Sequence, residues 1–350
     1  MTLELKAPNI RAITRTLIPV GTAALAFVFV GILLAAGGFD VVEAYGTLFS
    51  GAFGSPRGIG DTFVKTISLL FTGLAVAFAF KCKVWNIGAE GQLYIGATGA
   101  VTVALSAAGH IPVLGVVVVV IAGMIFGGGW ALIPAFLRTK LGVNEIIVTV
   151  MMNFIAILLV DYLLHTILKA PGFLPYTEII PAAAELPILF EGTRLHAGLI
   201  IGIAVTILVY LFLWKTNIGF ALRAVGENPK ASRYAGMSVS RGILLSLGIS
   251  GAIAGIGGAA LVQGVNHQLI GGISPGYGFI GIIIALLGRQ HPLGVAVVAF
   301  LFAALMSGAD VMYRTLTIPA TVAQTLQASV LIFALIGEFI ARWKFKGVKV

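Results

Sequence analysis

An all-α, polytopic membrane fold is predicted for this chain by three observations. Hydrophobic residues fill 59% of the 350 positions and charged residues only 10%, with a mean hydropathy of +1.06. A water-soluble domain carries about 25% charged residues. Apolar runs of membrane length, about 17–25 residues, recur along the whole sequence. Basic residues gather in alternate connections between those runs, as the positive-inside bias requires of a chain that crosses repeatedly. The expectation is one membrane domain over 1–350, with about ten transmembrane helices.

Taken in order, basic residues precede an apolar run over 17–37. That run is too long for the ~7–15-residue core of a cleaved signal, so a retained first span is expected. The clear spans that follow lie near 62–80, 113–136, 146–168, 197–214, 243–263 and 320–340. Three weaker ones, near 91–108, 277–288 and 293–308, are short or interrupted by glycine. With both termini inside, this trace leaves only Arg57, Lys65, Lys169, Arg194 and Arg314 of the 22 Lys and Arg on the outer side. Lys6, Lys81, Lys83, Arg138, Lys140 and Lys349 are among those within. Topology therefore accounts for the net charge of +9 without a nucleic-acid partner.

Two outer segments are large, 38–61 and 169–196. The second holds Pro171, Pro175, Pro181 and Pro187, a density that gives a rigid, turn-rich surface suited to an external partner. The spans divide into a first half over about 17–168 and a second over about 197–341. Five crossings per half is an odd number, so the second half is inverted. Each half has an interrupted helix as its third element: Asn86-Ile87-Gly88-Ala89-Glu90-Gly91-Gln92 in one, Ser274-Pro275-Gly276-Tyr277-Gly278 in the other. Paired breaks of this kind point to a transport site.

Polar residues within the spans are the candidate pathway. In the first break, Asn86, Glu90 and Gln92 stand beside Gly88 and Gly91, where backbone groups can open toward a cavity. The plainer reading is a helix start, with Asn86 capping and Glu90 favoured by the helix dipole. Glu145, Thr149 and Asn153 share one helical face, and Asn153 either lines the pathway or bonds a neighbouring helix. Gln324 lies in a similar stripe in the last span. Tyr277 and Phe279 follow the second break, where aromatic rings suit a neutral heterocycle or sugar; an interfacial anchor is the alternative for Tyr277. His267 reads as a solvated loop residue near the outer surface. Gly251, Gly255 and Gly258 with Ser246 and Ser250 form a small-residue face for close helix packing.

The segment 215–242 is a polar, basic excursion between two apolar runs, longer than a hairpin connection needs. It carries Gly226, Glu227, Asn228, Pro229, Lys230, Ala231, Arg233, Tyr234 and Gly236, and is expected to dock on something in the cytoplasm. Enzyme signatures are missing from the sequence. It has no G-x-x-x-x-G-K-[ST] phosphate loop, no H-E-x-x-H, and one cysteine with five histidines, a set without metal-site spacing. No cofactor is expected on this chain.

The blocks KVWNIGAEGQLYIGA (Lys83 to Ala97), NEIIVTVMMNFIA (Asn144 to Ala156), GENPKASRYAG (Gly226 to Gly236) and YGFIGIIIALLG (Tyr277 to Gly288) are in order along the chain. They resemble the permease subunits of bacterial ABC importers for simple sugars, nucleosides and branched-chain amino acids, and the NIGAEGQ form is similar to the nucleoside branch. The resemblance implies a second permease subunit, a cytoplasmic ATP-binding subunit that uses the ATP, and an external substrate-binding lipoprotein at the bacterial inner membrane. It also implies that Gly226, Glu227, Asn228, Pro229, Ala231, Tyr234 and Gly236 form the helix that couples to the ATPase. The cargo expected is a nucleoside, with a sugar such as ribose as the alternative. A stand-alone secondary transporter or channel is the alternative of another class.

Overall fold

The computed structural model describes residues 10–319 and 321–346; Lys6 and Lys349 lie outside them. The described residues are all-helical apart from two isolated bridges. The helices are α1 (Ile10–Ala36), α2 (Val41–Phe53), α3 (Pro56–Lys81), α4 (Ala89–Ala104), α5 (Leu114–Leu141), α6 (Glu145–His165), α7 (Gly198–Lys215), α8 (Asn217–Glu227), α9 (Pro229–Tyr234), α10 (Val239–Leu261), α11 (Tyr277–Leu287), α12 (Pro292–Leu316) and α13 (Thr321–Lys346). Six of the described helices, α3, α5, α6, α7, α10 with its extension to Asn266, and α12, are long and apolar enough to cross a membrane. The chain is a multi-pass membrane protein.

Two compact units form. One holds the described residues up to Ser55 and from Leu305 on, the other Pro56–Ala304. In the first, Val30, Leu34, Ala44, Leu48, Met312, Ile318 and Leu326 make a shared core. The large outer segment 38–61 contains a helix, α2, and the start of α3. Asp40 accepts from the amides of Val42 and Glu43 and so caps α2, while α3 already begins at Pro56. A capped helix hidden between two longer ones carries too short an apolar run to register as a span.

The second unit is built around α10. The face carrying Gly251, Gly255 and Gly258 lies against α4 and α5, as its small residues predict. A Cβ on Gly255 would fall 2.0 Å from the Gly123 carbonyl oxygen, so these backbones nearly touch. Lipid offers no hydrophobic drive between helices, and close packing of this sort supplies the attraction instead. Ser246 and Ser250 of α10 donate to the carbonyls of Ala79 and Ala75 on α3, which fixes α10 on its other side.

Of two weaker spans, one lengthens and one keeps its expected bounds. The one expected over 293–308 is a full 25-residue helix, α12. The one expected over 277–288 is α11, whose 11 residues reach about 16 Å at 1.5 Å per residue. That is about half the ~30 Å of a hydrocarbon core, so α11 alone is too short to span it and the segment before it has to supply the rest of any crossing.

The proline-rich segment 169–196 lies along the end of α10. Thr177 and Ile180 donate their amides to the carbonyls of Leu269 and His267, and Leu186 donates to that of Gln263. Here α10 widens into a single π turn, Val262–Asn266. His196 is buried, with its ring so close to Gly264 that a Cβ there would sit 2.3 Å from Nδ1. His196 Nδ1 accepts from the Gly198 amide. His267, expected as a solvated loop residue, is a half-exposed loop residue in a left-handed conformation at φ 54°, with Nδ1 3.6 Å from Glu185.

Burial, aided by the nearby His267 and Arg194, pushes His196 down to about 4. An unfolded histidine titrates near 6.5, so the unfolded chain takes up a proton that the folded chain refuses. The stability carried by neutral His196 is complete above pH 6.5 and is lost as pH falls from there toward 4, by about 3 kcal/mol in order of magnitude. The thermal midpoint in detergent is expected to drop over that window. His196→Gln is expected to lower the midpoint at pH 7.5 and flatten its acid dependence.

Candidate functional site

The chain does not continue straight from α3 into α4. After Lys81 it turns back, and residues 82–88 re-enter the second unit. Asn86 Nδ2 reaches Ser250 Oγ at 2.7 Å, and that hydroxyl donates to the Ala75 carbonyl. Ala75 lies about 9 Å along α3 from Lys81 at 1.5 Å per residue. The break therefore sits inside the helix layer, where every amide and carbonyl needs a partner.

Side chains supply those partners. Asn86 Oδ1 accepts from the Gly88 amide at 3.0 Å and from Gln92 Nε2 at 2.9 Å, while Asn86 Nδ2 also donates to Gln92 Oε1 at 2.8 Å. From α6, Asn153 Oδ1 accepts from the Gly91 amide at 2.8 Å and Asn153 Nδ2 donates to the Ile87 carbonyl at 2.8 Å. Asn86, Gln92, Asn153 and Thr149 are all buried. The face of Glu145, Thr149 and Asn153 is turned onto the break, and at its start Glu145 pairs with Arg138 of α5.

The second break meets the first. The Gly278 amide, in the first turn of α11, donates to Glu90 Oε2 at 2.5 Å, and Tyr94 Oη donates to the Ser274 carbonyl at 3.2 Å. Ser274 Oγ accepts from the amides of Gly276 and Tyr277 and so begins α11. A Cβ on Gly278 would come 2.2 Å from the Glu90 nitrogen; only glycine lets the two helix starts abut. Two N-termini carry like partial charge, and the Glu90 carboxylate placed between them favours both.

Of the residues singled out in the sequence, Asn86, Glu90, Gln92, Asn153 and Tyr277 come together in this seam. Phe279 is 39% exposed. Gln324 lies on α13, in the other unit, with an exposed side chain. Ser250, expected as part of a packing face, and Ser274, expected as part of the second break, also belong to the seam. Among the described residues no group of three His, Cys, Asp or Glu is placed to hold a metal ion.

The basic excursion forms two short helices. Thr216 Oγ1 accepts from the Gly219 amide to start α8, and Asn228 Oδ1 accepts from the Ala231 amide to start α9, with Pro229 in its first turn. Tyr234 is 95% exposed, and Gly236 ends α9 at φ 81°. Gly226 lies against the end of α3: a Cβ there would fall 2.4 Å from the Lys81 carbonyl oxygen. Beside it Lys83 Nζ pairs with Glu227 Oε2 at 3.2 Å.

The family model described as branched-chain amino acid transport system / permease component matches residues 58–335. A guanosine ABC transporter permease protein, NupP of Bacillus subtilis, is 35% identical, with 93% of this chain and 94% of that protein covered. The glucose ABC transporter permease protein TsgB13 of Haloferax volcanii is 34% identical over 93% and 88% of the two chains. The nucleoside ABC transporter permease protein NupB of Lactococcus lactis is 33% identical over 91% and 90%. No solved structure matches.

The seam makes a clear thermodynamic prediction. Removing one partner leaves a buried polar group unmet, at about 1–3 kcal/mol, whereas removing both with apolar residues of like shape costs far less. Asn86→Leu and Gln92→Leu are each expected to lower stability in detergent, and the combined variant is expected to cost less than the sum of the two, because each single change also leaves the other amide unmet. The double-mutant cycle should show coupling of at least about 1 kcal/mol.

Proposed function

We propose that this chain, which belongs to the branched-chain amino acid transport system permease family, is the transmembrane subunit of an ABC importer that carries nucleosides into the cell. The observation that carries the cargo is the near end-to-end similarity to proteins named for guanosine and nucleosides, at 35% and 33% identity. A sugar is the second reading, favoured by the glucose permease at 34%. ATP hydrolysis belongs to a separate subunit in this reading, and this chain is a permease rather than an enzyme. Its partners are a cytoplasmic ATP-binding subunit, a second permease subunit and an external substrate-binding lipoprotein, at a bacterial inner membrane.

About ten crossings in two inverted halves remain our reading of the topology. It is supported by the way α4 and α11 begin beside one another. The basic ends of α3, α5 and α7, with Lys81, Arg138, Lys140 and Lys215, face the cytoplasm in this orientation.

The mechanism we propose starts at α9, which docks on the ATP-binding subunit through Glu227, Asn228, Pro229, Ala231, Tyr234 and Gly236. When that subunit closes, α9 is displaced. Gly226 and Glu227 pass the movement to Lys81, Cys82 and Lys83, and the chain carries it to Asn86. Asn86, Gln92, Asn153 and Glu90 then shift the two helix starts as one rigid element, and access switches between sides. Tyr277 and Phe279 are kept as pathway residues. No bond in the cargo changes.

Gly226→Val places side-chain atoms where the Lys81 carbonyl stands, so it is expected to separate hydrolysis from transport. In proteoliposomes holding all four kinds of subunit, uptake of labelled guanosine should fall at least tenfold while ATPase activity persists. Uptake of glucose but not guanosine by the unaltered complex would favour the sugar reading. Uptake by this chain alone, without ATP, would contradict the importer assignment.

A further inference from the structure

We propose that the corner formed by Lys81, Arg223, Trp214 and His291 is a binding site for the phosphate of an anionic phospholipid. Lys81 closes α3, and Trp214 lies in the last turn of α7, so both sit where membrane helices meet the headgroup region. Lys81 Nζ stands 5.3 Å from the Trp214 ring centroid, and Arg223 Cζ stands 5.8 Å from it. The His291 ring lies 5.2 Å from Trp214 and 5.7 Å from Tyr210, which stacks on Trp214 at 5.4 Å.

Two cations thus share one indole. Each is attracted to the ring, by about 0.5–1 kcal/mol at a site open to water, but they repel one another. The carboxylate in this corner, Glu227, is bonded to Lys83. Among the described residues neither Lys81 nor Arg223 has an ion-pair partner, and the buried Nε of Arg223 has no hydrogen-bond partner.

A phosphodiester meets each of these needs. It neutralises two neighbouring cations, accepts from the guanidinium in paired geometry, and takes the lysine as a point charge. Trp214 and Tyr210 place the site at headgroup depth. Basic pockets between membrane helices hold acidic headgroups by this chemistry. The site does not depend on the cargo or on the coupling mechanism.

The full chain, purified from nanodiscs containing equal phosphatidylglycerol and phosphatidylcholine, is examined by native mass spectrometry. Phosphatidylglycerol is expected to be retained in preference. Lys81→Gln/Arg223→Gln is expected to reduce the ratio of the two lipids at least about tenfold, while Lys140→Gln/Lys230→Gln, which removes as much charge elsewhere, leaves it unchanged. In the unaltered chain, phosphatidylglycerol with brominated tails should quench tryptophan more than brominated phosphatidylcholine, and Trp214→Phe should abolish the difference. An unchanged ratio in the first double variant, an equal fall in both, displacement by inorganic phosphate, or equal quenching by the two lipids would each overturn the proposal.

Discussion

The bond from the Gly278 amide to the Glu90 carboxylate joins two helices that each begin inside the apolar layer. A helix start exposes several amides without partners, and in a membrane interior water does not supply them. The second unit brings two such starts together and satisfies them with side chains. Glu90 and Ser274 serve α11, and Asn86 and Asn153 serve α4. The remaining packing follows from this demand. Gly278 must be bare for the helix starts to abut, α6 must turn Asn153 inward, and α10 must place Ser250 where Asn86 can reach it.

Such a seam is stable and rigid. Its bonds are buried and directional, so the two starts hold one geometry rather than a range of them. Its cost if broken is also large, which makes it a rigid body rather than a hinge. Movement has to come from around it. The tight contact of Gly226 with the end of α3, and the return of residues 82–88 into the bundle, connect that rigid body to the exposed helix α9.

Much of this was legible in the sequence because lipid imposes a simple grammar. Apolar length and basic connections located α3, α5, α6, α7 and α10, and the glycine-rich breaks marked where α4 and α11 begin. What stayed hidden depends on contacts distant along the chain. Nothing near Glu90 shows that its partner is Gly278. Nothing near Gly226 shows that it rests on Lys81, and His196 reads as a loop residue until Gly264 is seen against its ring. The run over 277–288 located α11 almost to the residue, but an apolar run records hydrophobicity and not what a helix start rests on. The capped helix α2 was missed for the converse reason, its signal being the local one of Asp40 before an apolar run too short to register as a span.

Amide hydrogen exchange of the chain in nanodiscs tests the seam most directly. The account predicts slow exchange at Gly88, Gly91 and Gly278, with Glu90→Ala freeing Gly278 and Asn153→Ala freeing Gly91, each leaving the other protected. Rapid exchange at all three positions in the unaltered chain, or protection of Gly278 that survives the loss of Glu90, would contradict it.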